Sequence, residues 1–522
     1  MPPERFSATA PAQSQSRYLL PSISDLIFIL LLVSLAFGVL APRLLSDADI
    51  GWHIRNGQNI LSTHAIPHTD PFSATMSGRT WYAWEWLYDL GIGIVYNRLG
   101  LNGVVFVSAL LIAAMLSLVF RLALHGGASV PITILLFLLC LGASSIHFLA
   151  RPHIVGWLIT VAWFWILDST NRKAASYRRL LGLPLLMLLW VNLHGGFILG
   201  FMLLGCFLLA DMITATIDRD QEQRRQARTH GVWLGAVLAL SALASLINPY
   251  GYKLHLHVYQ YLSNRFFMQH IDEFRRPDLY SLPAVFFLVL LLVAIAGCVM
   301  AWRKLRWSEL LVVVFSAFLG LYAARNIPIA AMLLTMIAPS FFSRRSTGAD
   351  EARATSRIRA FATRVTRLEL SLRGHLWPFV VVLASAGVCF YQGSLFGRQV
   401  MNAHFDEKRF PVQALDSLVP RGIWEPTFSL DSWGGYLIYR LYPGTRVFVD
   451  DRHDFYGEPF LRDYLKVLHT EPGWEKVLDG LGANLILIPT KSKLATALRT
   501  TPAWRITYTD ETATAFERTE KR

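Results

Sequence analysis

The chain has 522 residues, of which 53% are hydrophobic and only 16% charged. Soluble domains carry about a quarter charged residues, so this composition excludes an ordinary soluble enzyme. The net charge of +13 points only weakly to nucleic acid, because the basic residues follow a membrane topology; no nucleic-acid partner is expected.

A bilayer core of about 30 Å needs long apolar runs. Such runs predict about eleven transmembrane helices, near 23–42, 103–124, 130–149, 153–169, 179–193, 195–216, 231–248, 283–302, 308–322, 326–342 and 376–392. The first lacks a small-residue cleavage site and runs into Pro42-Arg43, so it is read as a retained helix and not a signal peptide. The stretch 84–98, with its Trp and Tyr residues, is predicted to lie at the interface. Cys140, Cys206, Cys298 and Cys389 all fall in apolar runs, where cysteine serves as a small hydrophobe.

With residues 1–22 as a cytoplasmic tail, the inside segments hold 22 Lys and Arg and the outside loops before the tail hold 10. That bias sets the orientation. Segment 343–375 carries eight Arg and reads as a basic amphipathic helix on anionic membrane lipids. The transmembrane domain is 23–392, and an odd helix number leaves 393–522 outside. This tail has mixed charge and β-rich runs (TRVFVD, ANLILIP, WRITYTD, TATAFER) around a helical pattern, as in a small extracytoplasmic α/β domain.

The long first external loop, 43–85, places Asp47 and Asp49 directly after the first helix. A carboxylate at a membrane face is costly unless paired, hydrated or bound to a cation. Asp49 and His53 are spaced to share one helical face. They could bind a hard divalent cation or accept a proton from an attacking hydroxyl; both aspartates could equally cap a helix. Helix counting brings Arg151 and His153, Asn192 and His194, and Arg325 to the same side. Together these describe a cationic pocket suited to phosphate, although each alone reads equally as a snorkelling or helix-end group. In the tail, VDDRHDFYG follows a strand with an acidic cluster that serves either a turn or an acceptor sugar.

The stretches DADIGWHIRNGQNIL, PHTDPFS and GRTWYAWEWL resemble the first external loop of bacterial membrane glycosyltransferases of the GT-C superfamily. The loop is also similar to that of the oligosaccharyltransferase catalytic subunit, in which an Asp precedes an Arg by six positions, as Asp49 precedes Arg55 here. SLDSWGGYLIYRLYPGTRVFVDDRHDFYG resembles, more loosely, the region after that subunit's Trp-Trp-Asp-Tyr-Gly motif. The resemblance implies a GT-C-like, multi-pass α-helical membrane protein in the cytoplasmic (inner) membrane. It implies transfer of a hexosyl or pentosyl group, with inversion, from a polyprenyl-phosphate-linked sugar donor to a glycan, lipid or protein acceptor on the outer face. Asp49, helped by Asp47, would correspond to the base or metal ligand. Arg55, Arg151, Arg325, His194 and Asn192 are candidates to hold donor phosphate or substrate. Asp49, His53 and His153 are the candidate ligands of a divalent cation (Mg or Mn). The family's acidic pair in the second external loop is replaced here by Arg-Pro-His at 151–153, which puts metal dependence in question. Two other readings stay open: a transporter or flippase for a lipid-linked or anionic solute, and a non-catalytic scaffold subunit of the same fold.

Overall fold

The computed structural model describes residues 16–172, 176–345, 356–372, 375–422 and 424–520. Each of the eleven apolar runs is helical. Among the described residues, seven helices are long and apolar enough to cross a membrane: Trp86–His125, Val130–His147, His153–Asn171, Gly195–Ile217, Gln221–Ser245, Leu282–Met300 and Ala324–Arg344. The bent pair Ala360–Ser371 and Leu376–Phe390 makes up to eight, while Ile23–Ala36 and Trp307–Tyr322 are shorter apolar helices. The protein is therefore a multi-pass helical membrane protein with a small sheet domain at its C-terminal end.

The stretch expected to lie at the interface is continuous with the next span. Trp86–His125 is one 40-residue element broken at Gly100, whose φ of 60° and ψ of −157° belong to a region that only glycine occupies readily. Segment 343–375 is described only in part; its helix Ser356–Ser371 presents Glu369, which accepts the backbone amides of Ile23 (2.8 Å) and Ser24 (3.2 Å).

The first loop is built on a helix, Asp49–Thr63, wedged between two others. Its faces differ in polarity, and Ile50, Ile54 and Ile60 are buried. Two glycines let its backbone approach its neighbours closely. A methyl group on Gly51 would strike the carbonyl of Gly435, and one on Gly57 would strike the carbonyl of Asp89. Thus one face rests on the helix Asp431–Leu441 of the C-terminal domain and another on the start of Trp86–His125. The orientation of Asp49, at the first turn, follows from those two contacts.

The C-terminal sheet has four strands in the order Thr427–Ser429, Leu485–Pro489, Ala513–Arg518, Trp504–Thr509. The first pair is parallel and the others antiparallel. Three of the four expected β-rich runs form strands. The fourth, TRVFVD, does not join the sheet. Val447 instead bridges Ser73 of the first loop, with its amide on the carbonyl of Phe72 (2.9 Å) and its carbonyl taking the amide of Ala74 (2.8 Å). A run of Val and Phe favours extended, buried backbone; here its pairing partner is another loop.

Candidate functional site

The loop helix, the turn before His153–Asn171, and the segment 450–454 converge at the end of the bundle that carries the C-terminal domain. Arg151 lies at the centre. Its Nη2 is 2.5 Å from Asp49 Oδ2, and its Nη1 is 2.9 Å from Asp47 Oδ2 and 2.7 Å from Glu273 Oε1. The amide of Ala150 donates to the carbonyl of Leu44 (2.9 Å), which ties this turn to the foot of the first loop. The amide of Asp49 also donates to Asp47 Oδ1 at 3.0 Å, but Ala48 is the N-cap of the helix and has no side-chain cap, so neither aspartate occupies the expected N-cap position.

Asp451 completes the cluster. Oxygen atoms of Asp47, Asp49 and Asp451 lie within 4.8 Å of one another. Oδ1 of Asp49 and Oδ1 of Asp451 are buried and have no hydrogen-bond partner among the described residues. One guanidinium therefore faces four carboxylates, and close like charges disfavour ionisation. Burial pushes the Asp47 carboxyl up to about 6, with Asp49 adding repulsion and Arg151 opposing both. Asp451 is held well above the usual carboxylate range by burial and then by Asp49. Burial would raise Glu273 too, but Arg151 and Arg325 outweigh it and hold that carboxyl below its usual range.

The residues around Asp451 anchor it from several directions. Arg452 is buried between Asp450 (Nη2–Oδ2, 2.7 Å) and Asp70 of the first loop (Nη1–Oδ1, 2.7 Å). Its guanidinium carbon sits 4.6 Å from the centre of the Trp81 ring. His453 Nε2 meets Asp431 Oδ2 at 2.9 Å, and Asp454 Oδ2 meets His257 Nε2 at 2.9 Å. Arg452, His453 and Asp454 thus brace three different elements while Asp451 faces the cluster.

A second polar group adjoins the first. His53 Nδ1 lies 2.5 Å from Asp89 Oδ1, and Asn56 donates to Asp89 Oδ2 at 2.6 Å. The Glu85 carboxylate stands between His53 Nε2 (3.8 Å) and His194 Nε2 (3.9 Å).

The structure distributes the expected site residues as follows. Asp47, Asp49 and Arg151 meet directly. Arg325 has no hydrogen-bond or ion-pair partner among the described residues, and its guanidinium lies 4.6 Å from the Phe274 ring, next to Glu273. His194 faces Glu85. Asn192 accepts from Trp86 Nε1 and donates to the carbonyls of Leu188 and Ile247 (2.9 Å each), so its amide is spent on helix junctions. Arg55 grips the carbonyl of Tyr439 (Nε, 2.8 Å) and Gln58, joining the loop helix to the C-terminal domain. Among the candidate cation ligands, His53 turns to Asp89, and His153 Nε2 reaches the carbonyl of His147 at 2.9 Å. The clustered group among the described residues is Asp47, Asp49 and Asp451. Asp89 was legible as a carboxylate in an apolar helix, a costly placement. Glu85 and Glu273 carried no signal beyond their charge.

No protein-family model matches the sequence, and no curated protein does. Among solved structures, the chain is similar to the oligosaccharyltransferase of Archaeoglobus fulgidus in complex with Zn and sulfate. That similarity covers 95% of this chain and 73% of that one, with a TM-score of 0.50 at 12% identity. ArnT from Cupriavidus metallidurans bound to undecaprenyl phosphate aligns over 94% of this chain and 97% of its own, with a TM-score of 0.48 at 14% identity. Its apo state gives a TM-score of 0.47 at 13% identity. The fold is GT-C-like.

Proposed function

We propose that this chain is a membrane glycosyltransferase that moves a sugar from a polyprenyl-phosphate-linked donor to a glycan, lipid or protein acceptor. Transfer takes place at the outer face of the cytoplasmic membrane, where the C-terminal domain lies. The observation that carries this reading is the 2.5 Å contact of Asp49 with Arg151, inside a cluster that joins the first loop, a helix junction and the C-terminal domain.

The chemistry asks for a group to draw the acceptor proton, and positive charge where phosphate charge develops. Asp49 suits the first role. One of its oxygens is locked on Arg151, and the carboxyl group also neighbours Asp451. The acceptor oxygen forms the new bond to the anomeric carbon, its proton passes to Asp49, and the bond from that carbon to the phosphate oxygen breaks with inversion. Arg151 is occupied by three carboxylates, so its part is to orient Asp49 and Asp47. Arg325, beside Phe274 and without an ion-pair or hydrogen-bond partner among the described residues, is the candidate cation for the lipid phosphate.

Asp47, Asp49 and Asp451 would also hold a divalent cation. All three offer hard oxygen donors, two with orphaned atoms, a set suited to Mg or Mn. Such a cation supplies Lewis-acid stabilisation of phosphate charge.

The test is transfer by the purified chain in proteoliposomes, from a panel of polyprenyl-phosphate hexoses and pentoses, with membrane lipids and oligosaccharides as acceptors. Asp49→Asn should lower the rate by about two to four orders of magnitude while polyprenyl phosphate still binds. Undiminished transfer by that variant would refute the assignment.

A further inference from the structure

The Glu85 carboxylate is partly buried, with 14% of its side chain exposed, and has no hydrogen bond to any described residue. Its two oxygens face His53 Nε2 at 3.8 Å and His194 Nε2 at 3.9 Å, beyond hydrogen-bond range. Each gap is too long for direct pairing and suits one bridging oxygen.

The far sides of the two rings assign what each nitrogen presents. His53 Nδ1 meets the Asp89 carboxyl group; with the hydrogen on Nδ1, Nε2 turns an acceptor lone pair toward Glu85. His194 Nδ1 accepts from the backbone amide of Gly196 at 3.2 Å, so its Nε2 carries the hydrogen and is a donor. The array thus reads acceptor, carboxyl, donor. A hydroxyl between His194 and Glu85 accepts from the ring and donates to the carbonyl oxygen of the Glu85 carboxyl group. A second hydroxyl, between Glu85 and His53, donates to the ring and accepts from the protonated carboxyl. Burial and then Asp89 push the Glu85 carboxyl well above its usual range, which favours that protonated form.

The surroundings supply an independent observation. Trp52 is tilted against His53 at 3.6 Å between ring centres, and Tyr88 meets it edge-on at 5.3 Å. Trp52 Nε1 and Tyr88 Oη are both buried without a partner. Polar groups left unpaired inside a protein cost stability unless a ligand or water meets them. Aromatic faces with a carboxyl and imidazoles beside them match the mixed apolar and polar surface of a sugar ring.

From this arrangement we infer that Glu85, His53 and His194 form a specificity subsite that binds two neighbouring hydroxyls of the donor sugar, selecting a sugar with a free vicinal diol. The inference rests on the transferase reading and names the substrate class of that same site.

The test measures binding to the purified full chain in detergent, using citronellyl phosphate as the probe without sugar. Citronellyl-phosphate hexoses, their single-deoxy analogues and a 2-amino counterpart complete the panel. The unaltered protein should bind at least one diol-bearing probe about tenfold more tightly than citronellyl phosphate, and lose about that factor with one deoxy analogue. In Glu85→Ala and Glu85→Leu, which remove both the acceptor and the donor of the carboxyl group, this gain should shrink and the deoxy analogue should no longer be distinguished, with the affinity for citronellyl phosphate unchanged. That unchanged value also shows that the variants fold. Equal discrimination by Glu85→Ala and by the unaltered chain would overturn the subsite while leaving the transferase reading standing. Tighter binding of the amino probe would overturn the diol assignment. If no sugar-bearing probe gains over citronellyl phosphate, the transferase reading fails and the subsite with it.

Discussion

Arg452 of the C-terminal domain and Asp70 of the first loop form an ion pair of 2.7 Å in which both side chains are buried. Asp450 shares the same guanidinium, and the Tyr456 hydroxyl donates to Asp450 at 3.0 Å. The pair joins the loop that carries Asp49 to the segment that carries Asp451, so the site exists only while the two stay docked.

Arg452→Met should therefore be severely destabilising. It leaves Asp70 and Asp450 buried without their cation, and breaking one side of such a pair costs about 3–5 kcal/mol. The expected result is a lower melting temperature and faster proteolytic release of the C-terminal domain. A variant that also carries Asp70→Asn and Asp450→Asn should recover part of the loss, because the stranded charges are then gone.

The glycine contacts make a separate prediction about position. Gly57→Ala places a methyl group against the backbone of Asp89, and neither chain segment can yield easily. A loss of about 1–3 kcal/mol or more is expected from overpacking, together with reduced transfer because the helix bearing Asp49 shifts. Gly91→Ala is the matched control on the neighbouring helix, since nothing lies within 4 Å of a methyl group there. Thermal melts and transfer rates of the two variants, compared side by side, check this.

The acidic cluster should show a particular pH and cation response. The native Asp47 carboxyl is raised to about 6, so the folded protein binds that proton more tightly than the unfolded chain does. Stability then falls as pH rises from about 4 through about 6, the sign expected when the native state holds more protons. Asp451, held well above the usual carboxylate range by burial, adds to the loss in the same direction. Mg or Mn should offset the repulsion at pH 8 and raise the melting temperature there. At pH 5, where protons compete for the ligand oxygens, the shift should vanish. Asp451→Asn should abolish it, and a cation shift that persists in that variant at both pH values would place the ion elsewhere.

Arg325→Gln should weaken binding of polyprenyl phosphate by about tenfold to a hundredfold, the worth of one charge-assisted contact. Arg325→Lys should restore only part, because a lysine offers no paired donors. Fluorescence or calorimetric titration at two salt concentrations measures both. Arg55→Gln should leave that affinity near the native value, since Arg55 is engaged with the carbonyl of Tyr439.

Much of the architecture was legible in the sequence. Apolar runs became helices because a bilayer forces each span to satisfy its own backbone. The C-terminal α/β pattern was also readable from Leu485–Pro489, Trp504–Thr509 and Ala513–Arg518, whose side chains suit a half-buried sheet. TRVFVD showed the limit of that reasoning. Its propensity specified extended backbone, but not that the partner would be Ser73 in a loop far away in the chain. Helix length was likewise less certain than helix existence, as the merger of 84–98 into the 40-residue element broken at Gly100 shows.

The sequence by itself determined that the chain is embedded in a membrane, and that Asp47 and Asp49 leave the first apolar helix at one face of it. It did so because hydropathy and charge act locally, residue by residue. Only the tertiary structure decided that Arg151 would be held by three carboxylates, that Asp451 would complete their cluster, and that Arg55 would be spent on a backbone carbonyl. Those outcomes depend on which distant segments pack together, and close helix contacts at Gly51 and Gly57 settle that through shape, which no local pattern of charge or polarity encodes.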